Sequence, residues 1–175
     1  MIKLQPKTLE RIRDHFREVG QPASIAFTKL PPDDDPFKGD ADAKRRFEAL
    51  FEAMFLMIAA DGSVADEERE VLRGAVRGLT DNAVRSAHIE KLFEACQKSL
   101  EADGRDKRLD AIAPILKEDP ALTEAAFSLA AAIAFADDEI QDEENELINQ
   151  LAEILGLEGE RADELLNQLE EESVD

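Results

Sequence analysis

The sequence predicts an all-α protein, a multi-helix bundle of about eight helices with an internal pseudo-two-fold repeat. Apolar residues recur at steps of three and four along most of the chain, and no segment keeps the period-two alternation typical of strands. An acidic helix-loop-helix pattern occurs twice, with its two copies 76 positions apart. At 175 residues, 43% of them hydrophobic, the chain is long enough to bury a core.

The amino-terminal segment, residues 1–42, is predicted to hold one helix and a linker. Apolar positions at helical spacing mark one face of a helix over residues 9–19, and Gly20 ends it. The stretch 21–42 is rich in proline and aspartate, which disfavours regular structure. The helical domain that carries both acidic repeats is therefore assigned to residues 43–175.

Three helices are predicted in the first half of this domain. The first covers about residues 42–60 and presents one broad apolar stripe to the core. The second follows the first acidic loop, and the third follows Asp81, which is suited to an N-cap. The inward positions are Phe47, Leu50, Phe51, Met54, Phe55 and Ile58 in the first helix, Val71, Leu72, Ala75, Val76 and Leu79 in the second, and Ile89, Leu92, Phe93, Cys96 and Leu100 in the third.

Four further helices are predicted in the second half. Gly104 precedes a short helix, and Asp119 with Pro120 forms the cap and first turn of a long alanine-rich helix. The apolar run 125–136 has about half the length needed to span a bilayer, so it predicts a buried central helix and no membrane span. Gly156 ends the helix after the second acidic loop, and one last helix precedes an acidic tail. The inward positions are Leu109, Ile112, Ala113 and Leu116, then Leu147, Ile148, Leu151, Ala152 and Leu155, then Ala162, Leu165, Leu166 and Leu169.

The chain is strongly acidic, with a formal net charge of −20 and a pI near 4.4. Residues 47–175 hold 33 acidic and 11 basic residues, so the acidity belongs to the repeat-bearing domain. Such a surface repels phosphate backbones and attracts cations or basic proteins. We therefore expect protein partners, with a membrane-associated complex among the candidates, and no nucleic-acid binding.

Cysteine usage and the absence of catalytic motifs predict a cytoplasmic protein that is not an enzyme. Cys96 is the only cysteine and cannot form an intramolecular disulfide, and no apolar leader opens the chain. No phosphate-binding loop, nucleophile elbow or dinucleotide motif occurs. The two histidines, His15 and His88, lack metal-ligand spacing. We expect no catalytic residue.

The two acidic copies, Ala60–Leu72 and Ala136–Ile148, contain the same order of residue types. An apolar helix leads into Ala-Asp, a short turn, Val or Ile, and acidic residues that open the next helix. A purely structural role explains part of this pattern. Gly62 can end a helix in the left-handed conformation, and Asp66 and Asp142 can cap the next one.

Asp61 and Asp137 fit the structural role less well, because each carboxylate would follow the negative end of a helix dipole. A hydrogen-bonded turn could compensate that charge. A divalent cation shared with Glu68 in the first copy and with Glu144 in the second could also do so, since such ions take carboxylate oxygens. Both interpretations remain open at this point.

These motifs resemble the TerB family, helical domains associated with tellurite resistance and stress response. The family pattern, Ala-Asp-Gly-x-Val/Ile-x-x-x-Glu, matches Ala60–Glu68 and Ala136–Glu144, with Asp138 in place of glycine in the second copy, and Leu155–Leu157 closes that copy. The resemblance covers about residues 43–170. It implies an all-helical bundle with internal pseudo-symmetry, an acidic surface and a metal-binding role for the motif carboxylates, which here are Asp61, Glu68, Asp137 and Glu144.

The sequence together with this resemblance predicts a non-enzymatic stress-response module that binds a divalent cation through the repeated loops. Calcium is the first candidate, with zinc and magnesium as alternatives, because no soft ligand accompanies the carboxylates. The alternative function is an acidic interaction scaffold that docks basic or membrane-associated partners, with the loops purely structural.

Overall fold

A computed structural model describes residues 10, 11, 14, 41–60, 66–80, 86–135 and 142–173. Within these ranges it contains helices and no strand, which confirms the predicted all-α class. No helix in these ranges is long and apolar enough to cross a membrane. The described helices are α1 (Ala41–Ile58), α2 (Asp66–Thr80), α3 (Ser86–Asp103), α4 (Arg105–Leu116), α5 (Pro120–Phe135), α6 (Asp142–Ile154) and α7 (Gly159–Ser173).

The predicted amino-terminal helix and linker lie largely outside the described residues. Glu10, Arg11 and Asp14 are helical, in keeping with a helix over residues 9–19. The predicted cap at Asp81 also lies outside them. The division into a segment 1–42 and a domain 43–175 stays a prediction.

Helices α1 and α5 form the centre of the bundle and make its most extensive helix-helix contact. The sequence predicted a single inward stripe on α1, but every side chain from Phe47 to Ile58 except Glu48 is buried. This stretch has no solvent face, because α1 also contacts α2, α3 and α4. The predicted burial of α5 is confirmed, with Phe127 and Leu129 at most 1% exposed.

Helix ends fall at the predicted breakers. Gly104 separates α3 from α4 with φ of +86°, and Gly156 follows α6 with φ of +72°, both in the left-handed region that glycine adopts without a steric penalty. Asp119 caps α5, because its Oδ1 accepts hydrogen bonds from the backbone N–H groups of Ala121 at 2.7 Å and Leu122 at 3.4 Å. The predicted break and the predicted cap are both confirmed.

Two sets of ion pairs fix the direction of α4 along α1. Near the start of α4, Arg108 donates two hydrogen bonds to Glu52, at 2.6 and 2.8 Å. Just beyond the end of α4, Glu118 accepts hydrogen bonds from Arg45, at 2.6 and 2.8 Å, and from Arg46 at 3.1 Å, both near the start of α1. Helix α4 therefore runs antiparallel to α1.

Helix α5 runs in the same general direction as α1. The chain reverses after α4 in the short turn 117–119, so α5 begins near the start of α1 and packs against it. Ile58 and Phe135, the last residues of α1 and α5, consequently lie at the same end of the bundle, which we call the loop end. Helix α6 follows and passes the start of α4, where Gln150 donates a hydrogen bond of 2.9 Å to Asp106.

Helix α7 starts at the opposite end of the bundle from the loop end. In its first turn, Arg161 donates two hydrogen bonds of 2.7 Å to Glu124, which lies in the first half of α5. Helix α7 then packs along α5. Both helices of the carboxy-terminal pair, α6 and α7, therefore contact α5.

Candidate metal site

The two acidic loops leave the described helices at the loop end. Helix α1 ends at Ile58 and α2 begins at Asp66, while α5 ends at Phe135 and α6 begins at Asp142. The topology therefore brings the two copies of the repeat to one end of the bundle, although they are 76 positions apart in sequence. The predicted pseudo-two-fold relation between the two copies stays a prediction.

The four predicted ligands are described to different extents. Asp61 and Asp137 lie outside the described residues, and Glu144 lies in the first turn of α6 with its side chain outside them. The side chain of Glu68 is described: it is half-buried in the first turn of α2 and has a polar partner. Among the described side chains, no group of three or more His, Cys, Asp or Glu residues is placed to hold a metal ion. The metal site therefore stays a prediction.

The helix starts that follow the loops are acidic, as predicted. Asp66 and Asp142 are exposed, and each is the first helical residue of α2 or α6, one position further into the helix than the N-cap that the sequence suggested. A carboxylate in the first turn still meets the positive end of the helix dipole. These two aspartates therefore have a sufficient structural role without a metal.

The ends of the two helices that precede the loops, α1 and α5, lack a compensating positive charge. Neither α1 nor α5 has a basic residue in its last turn. The carbonyl groups at these ends carry a partial negative charge. The interaction of this charge with a nearby charged side chain amounts to roughly 0.3–1 kcal/mol. Asp61 follows Ile58 by three positions, and Asp137 follows Phe135 by two. At the loop end, the partial negative charge of two helix termini is thus not offset by a basic residue of their own last turns.

A pair of arginines on α2 was not predicted from the sequence. Arg69 and Arg73 place their guanidinium carbons 5.4 and 5.6 Å from the ring centroid of Phe93 on α3, within cation–π range. Arg73 also forms ion pairs with Glu70 and Glu90, and the hydrogen bond to Glu90 is the main cause that raises the pKa of Arg73. The spacing of four between the arginines was the available signal, since it places both on one helix face.

The exposed surface of α6, α7 and the turn between them is rich in acidic residues. Arg161 is the only basic residue from 142 to 173, and it is bound to Glu124 and Glu164. Most of the acidic side chains described in this stretch are exposed. The exposed acidic residues are Asp142, Glu146, Glu153, Glu158, Glu160, Asp163, Glu164, Glu170 and Glu171.

The thiol of the single cysteine is buried and unreactive. Cys96 is 7% exposed among the core side chains, and burial raises its pKa to about 12, with a smaller effect in the same direction from the nearby Glu52 carboxylate. Because the thiolate is the nucleophile and the metal ligand, Cys96 is inert in the folded chain. The prediction that it belongs to the core is confirmed.

Comparison with known proteins identifies the family. The family model of Tellurite resistance protein TerB matches residues 47–167, well over half of the chain, and this match spans both acidic loops. No curated protein and no solved structure gave a significant match. With its all-helical bundle and duplicated acidic loops, the chain belongs to the TerB family.

Proposed function

We propose that this TerB-family chain is a non-enzymatic, cytoplasmic stress-response module that binds a divalent cation at the loop end. Its ligands are Asp61 and Glu68 in the first loop and Asp137 and Glu144 in the second. Calcium is the first candidate, because all four groups are carboxylates and hard divalent cations prefer oxygen ligands.

One observation carries this proposal. Two packed helices, α1 and α5, end at the same end of the bundle without a basic residue in either last turn, and in the sequence each is followed within three positions by a motif aspartate. Negative helix termini and carboxylates at one place repel each other unless a positive charge lies between them. A bound cation supplies that charge, and loss of the repulsion contributes to its affinity.

Calorimetric titration tests the proposal. Ca²⁺, Mg²⁺ and Zn²⁺ are titrated in turn into the full chain and into the double variant Glu68→Gln/Glu144→Gln. We expect saturable binding of at least one ion to the wild type and at least about a tenfold loss of affinity in the variant, since each substitution removes a charged ligand.

The matched control is Glu94→Gln/Glu153→Gln, which removes the same charge at exposed positions outside the motif. It should bind the cation like the wild type. If the wild type shows no binding to any of the three ions, or if the motif variant and the control bind equally, the proposal is wrong.

A second function is favoured by the exposed acidic surface of α6 and α7. We propose as the alternative that this surface docks a basic segment of a protein partner, with membrane-associated proteins among the candidates and the loops purely structural. Exposed carboxylates with one basic residue, itself already paired, supply a long-range attraction for lysine and arginine side chains.

Fluorescence anisotropy with a labelled helical peptide rich in lysine and arginine tests this alternative. We expect binding that weakens as salt rises, survives Glu68→Gln/Glu144→Gln, and is lost when Glu146, Glu153 and Glu160 are changed to glutamine. Binding that is unchanged between low and high salt would contradict the docking function.

A further inference from the structure

Helix α2 is attached to the bundle by few apolar side chains. Among its described residues, Leu72, Ala75 and Val76 are buried, and the helix packs against α1. Helix α6, its counterpart after the second acidic loop, packs against both α4 and α5. Because burial of apolar surface is the main force that holds a helix in a bundle, α2 depends more than α6 on its polar contacts.

An ion pair and two cation–π contacts join α2 to α3. The Nε of Arg73 donates a hydrogen bond of 2.7 Å to Glu90, and Arg73 also forms an ion pair with Glu70 on its own helix. The guanidinium carbons of Arg69 and Arg73 lie 5.4 and 5.6 Å from the ring centroid of Phe93. The side chain of Arg73 is 18% exposed, so solvent screens its attraction to Glu90 less than that of a surface pair. Arg73 therefore holds the two helices together.

Arg69 weakens the attachment of α2, although it stacks on the same ring. Its Nε is buried and, in the part of the chain that the structure describes, has no hydrogen-bond acceptor. This N–H group loses its water when α2 packs and regains it when α2 leaves. An unsatisfied donor costs the packed state more than a cation–π contact returns. Arg69 also lies in the first turn of α2, where the helix dipole disfavours a positive charge.

The ring that the two arginines cover belongs to an aromatic cluster. Phe93 is 2% exposed and meets Phe51 and Phe55 of α1 edge to face, with ring centroids 5.3 and 6.2 Å apart. Because both guanidinium groups belong to α2, release of this helix uncovers the ring of Phe93. At the positions equivalent to the two arginines, α6 has Asn145 and Asn149, which are exposed.

We infer that α2 is a detachable helix, held on α3 by Arg73 and weakened by Arg69, which leaves the bundle before α5 and α6 do. Its release exposes an apolar surface on α3 while the rest of the bundle stays folded. Proteins open locally where few apolar contacts hold a segment, and such segments are the ones that move in switching. The inference is independent of cation binding, since it rests on side chains of α1, α2 and α3.

Hydrogen exchange of the full chain at pH 7, read by mass spectrometry on peptides from each helix, tests the inference. Relative to their rates in the unfolded chain, we expect the amides of α2 to exchange at least about tenfold faster than those of α5 and α6. Arg73→Met should speed exchange in α2 about three- to tenfold, because it removes charge-assisted hydrogen bonds. Arg69→Met should slow it about threefold or more, because methionine keeps a contact with the ring and leaves no buried N–H group.

The matched control is Lys91→Met, which removes a positive charge at an exposed position next to Glu90 and should change exchange in α2 by less than about twofold. Exchange in α6 should also change by less than about twofold in both arginine variants, because α6 lies outside the contact. Nile red, a neutral dye that binds apolar surface, should bind Arg73→Met more than the wild type and Arg69→Met less.

Opposite effects of two arginines four positions apart are the signature of this arrangement. Equal exchange in α2 and α6 of the wild type, or faster exchange of α2 in Arg69→Met, would overturn the inference. Faster exchange of α2 in Arg73→Met without added Nile red binding would overturn the uncovering of Phe93. If Arg73→Met unfolds the whole bundle, the comparison of the wild type with Arg69→Met still decides.

Discussion

Replacing Arg108 with methionine is expected to destabilise the bundle more than removing the charge of its partner Glu52. The pair joins the start of α4 to the middle of α1 through two hydrogen bonds of 2.6 and 2.8 Å. This contact helps to set the antiparallel course of α4, and through the turn that follows, the direction of α5. The stability of the pair therefore affects the topology in which α1 and α5 end at the same end of the bundle.

The magnitude follows from the exposure of the two side chains. Glu52 is 10% exposed and Arg108 is 22% exposed, so a carboxylate left alone at this position cannot regain water. Losing one partner of a buried pair costs about 3–5 kcal/mol, and the residual exposure of this pair places Arg108→Met near 3 kcal/mol. In the Glu52→Gln variant, the guanidinium of Arg108 retains its ion pair with Asp103 at 3.4 Å and some contact with water. We therefore expect the free energy of unfolding to fall by about 1–2 kcal/mol.

Urea denaturation at pH 7, followed by the helical circular dichroism signal, measures both values. The matched control is Lys107→Met, which removes the exposed neighbouring charge and should change the free energy of unfolding by less than about 0.5 kcal/mol. If Arg108→Met lies within 0.5 kcal/mol of the wild type, or if Glu52→Gln costs more than Arg108→Met, the reasoning about the buried carboxylate is refuted.

Three further predictions concern single residues. Arg45 and Arg46 lower the pKa of Glu118, so its contribution is present above the ordinary carboxyl pKa and is lost as the pH falls through the lowered value. Glu118→Gln should therefore reduce the free energy of unfolding by up to about 1 kcal/mol at pH 7, and the difference from wild type should vanish in urea titrations near pH 2. Asp119→Ala should cost about 1–2 kcal/mol by removal of the α5 cap, whereas Asp119→Asn, which can still cap, should cost less in the same assay. Because burial raises the pKa of Cys96 to about 12, a thiol reagent at pH 8 should react at least about 100-fold more slowly with the folded chain than with the chain in urea, and equal rates would contradict its burial.

Much of the fold could be predicted from the sequence, because its determinants are local. Apolar spacing predicted the helices, and Gly104, Gly156 and Asp119 with Pro120 marked their boundaries for reasons of backbone conformation and capping. The complete burial of α1 could not be predicted in this way. From the sequence alone, a charged side chain such as Glu52 is expected to face solvent, because its partner Arg108 is 56 residues away.

The candidate site was only partly predictable for the same reason. The motif carboxylates could be identified from the repeated sequence pattern and from their positions next to predicted helix ends. Both signals can be read from the local sequence. That both loops leave one end of the bundle depends on the long-range contacts of Glu118 with Arg45 and Arg46, which no periodicity reveals. The stacking of Arg69 on Phe93 likewise depends on how α2 meets α3.

The central claim is that the loop end holds a divalent cation. The most direct measurement is an anomalous difference map from crystals of the full chain grown with Mn²⁺, which shares the oxygen-ligand preference of Ca²⁺ and Mg²⁺. We predict a peak about 2.0–2.6 Å from the motif carboxylate oxygens of at least one copy, Asp61 with Glu68 or Asp137 with Glu144. A map with both loops ordered and no anomalous peak beside the carboxylates of either copy would contradict the claim.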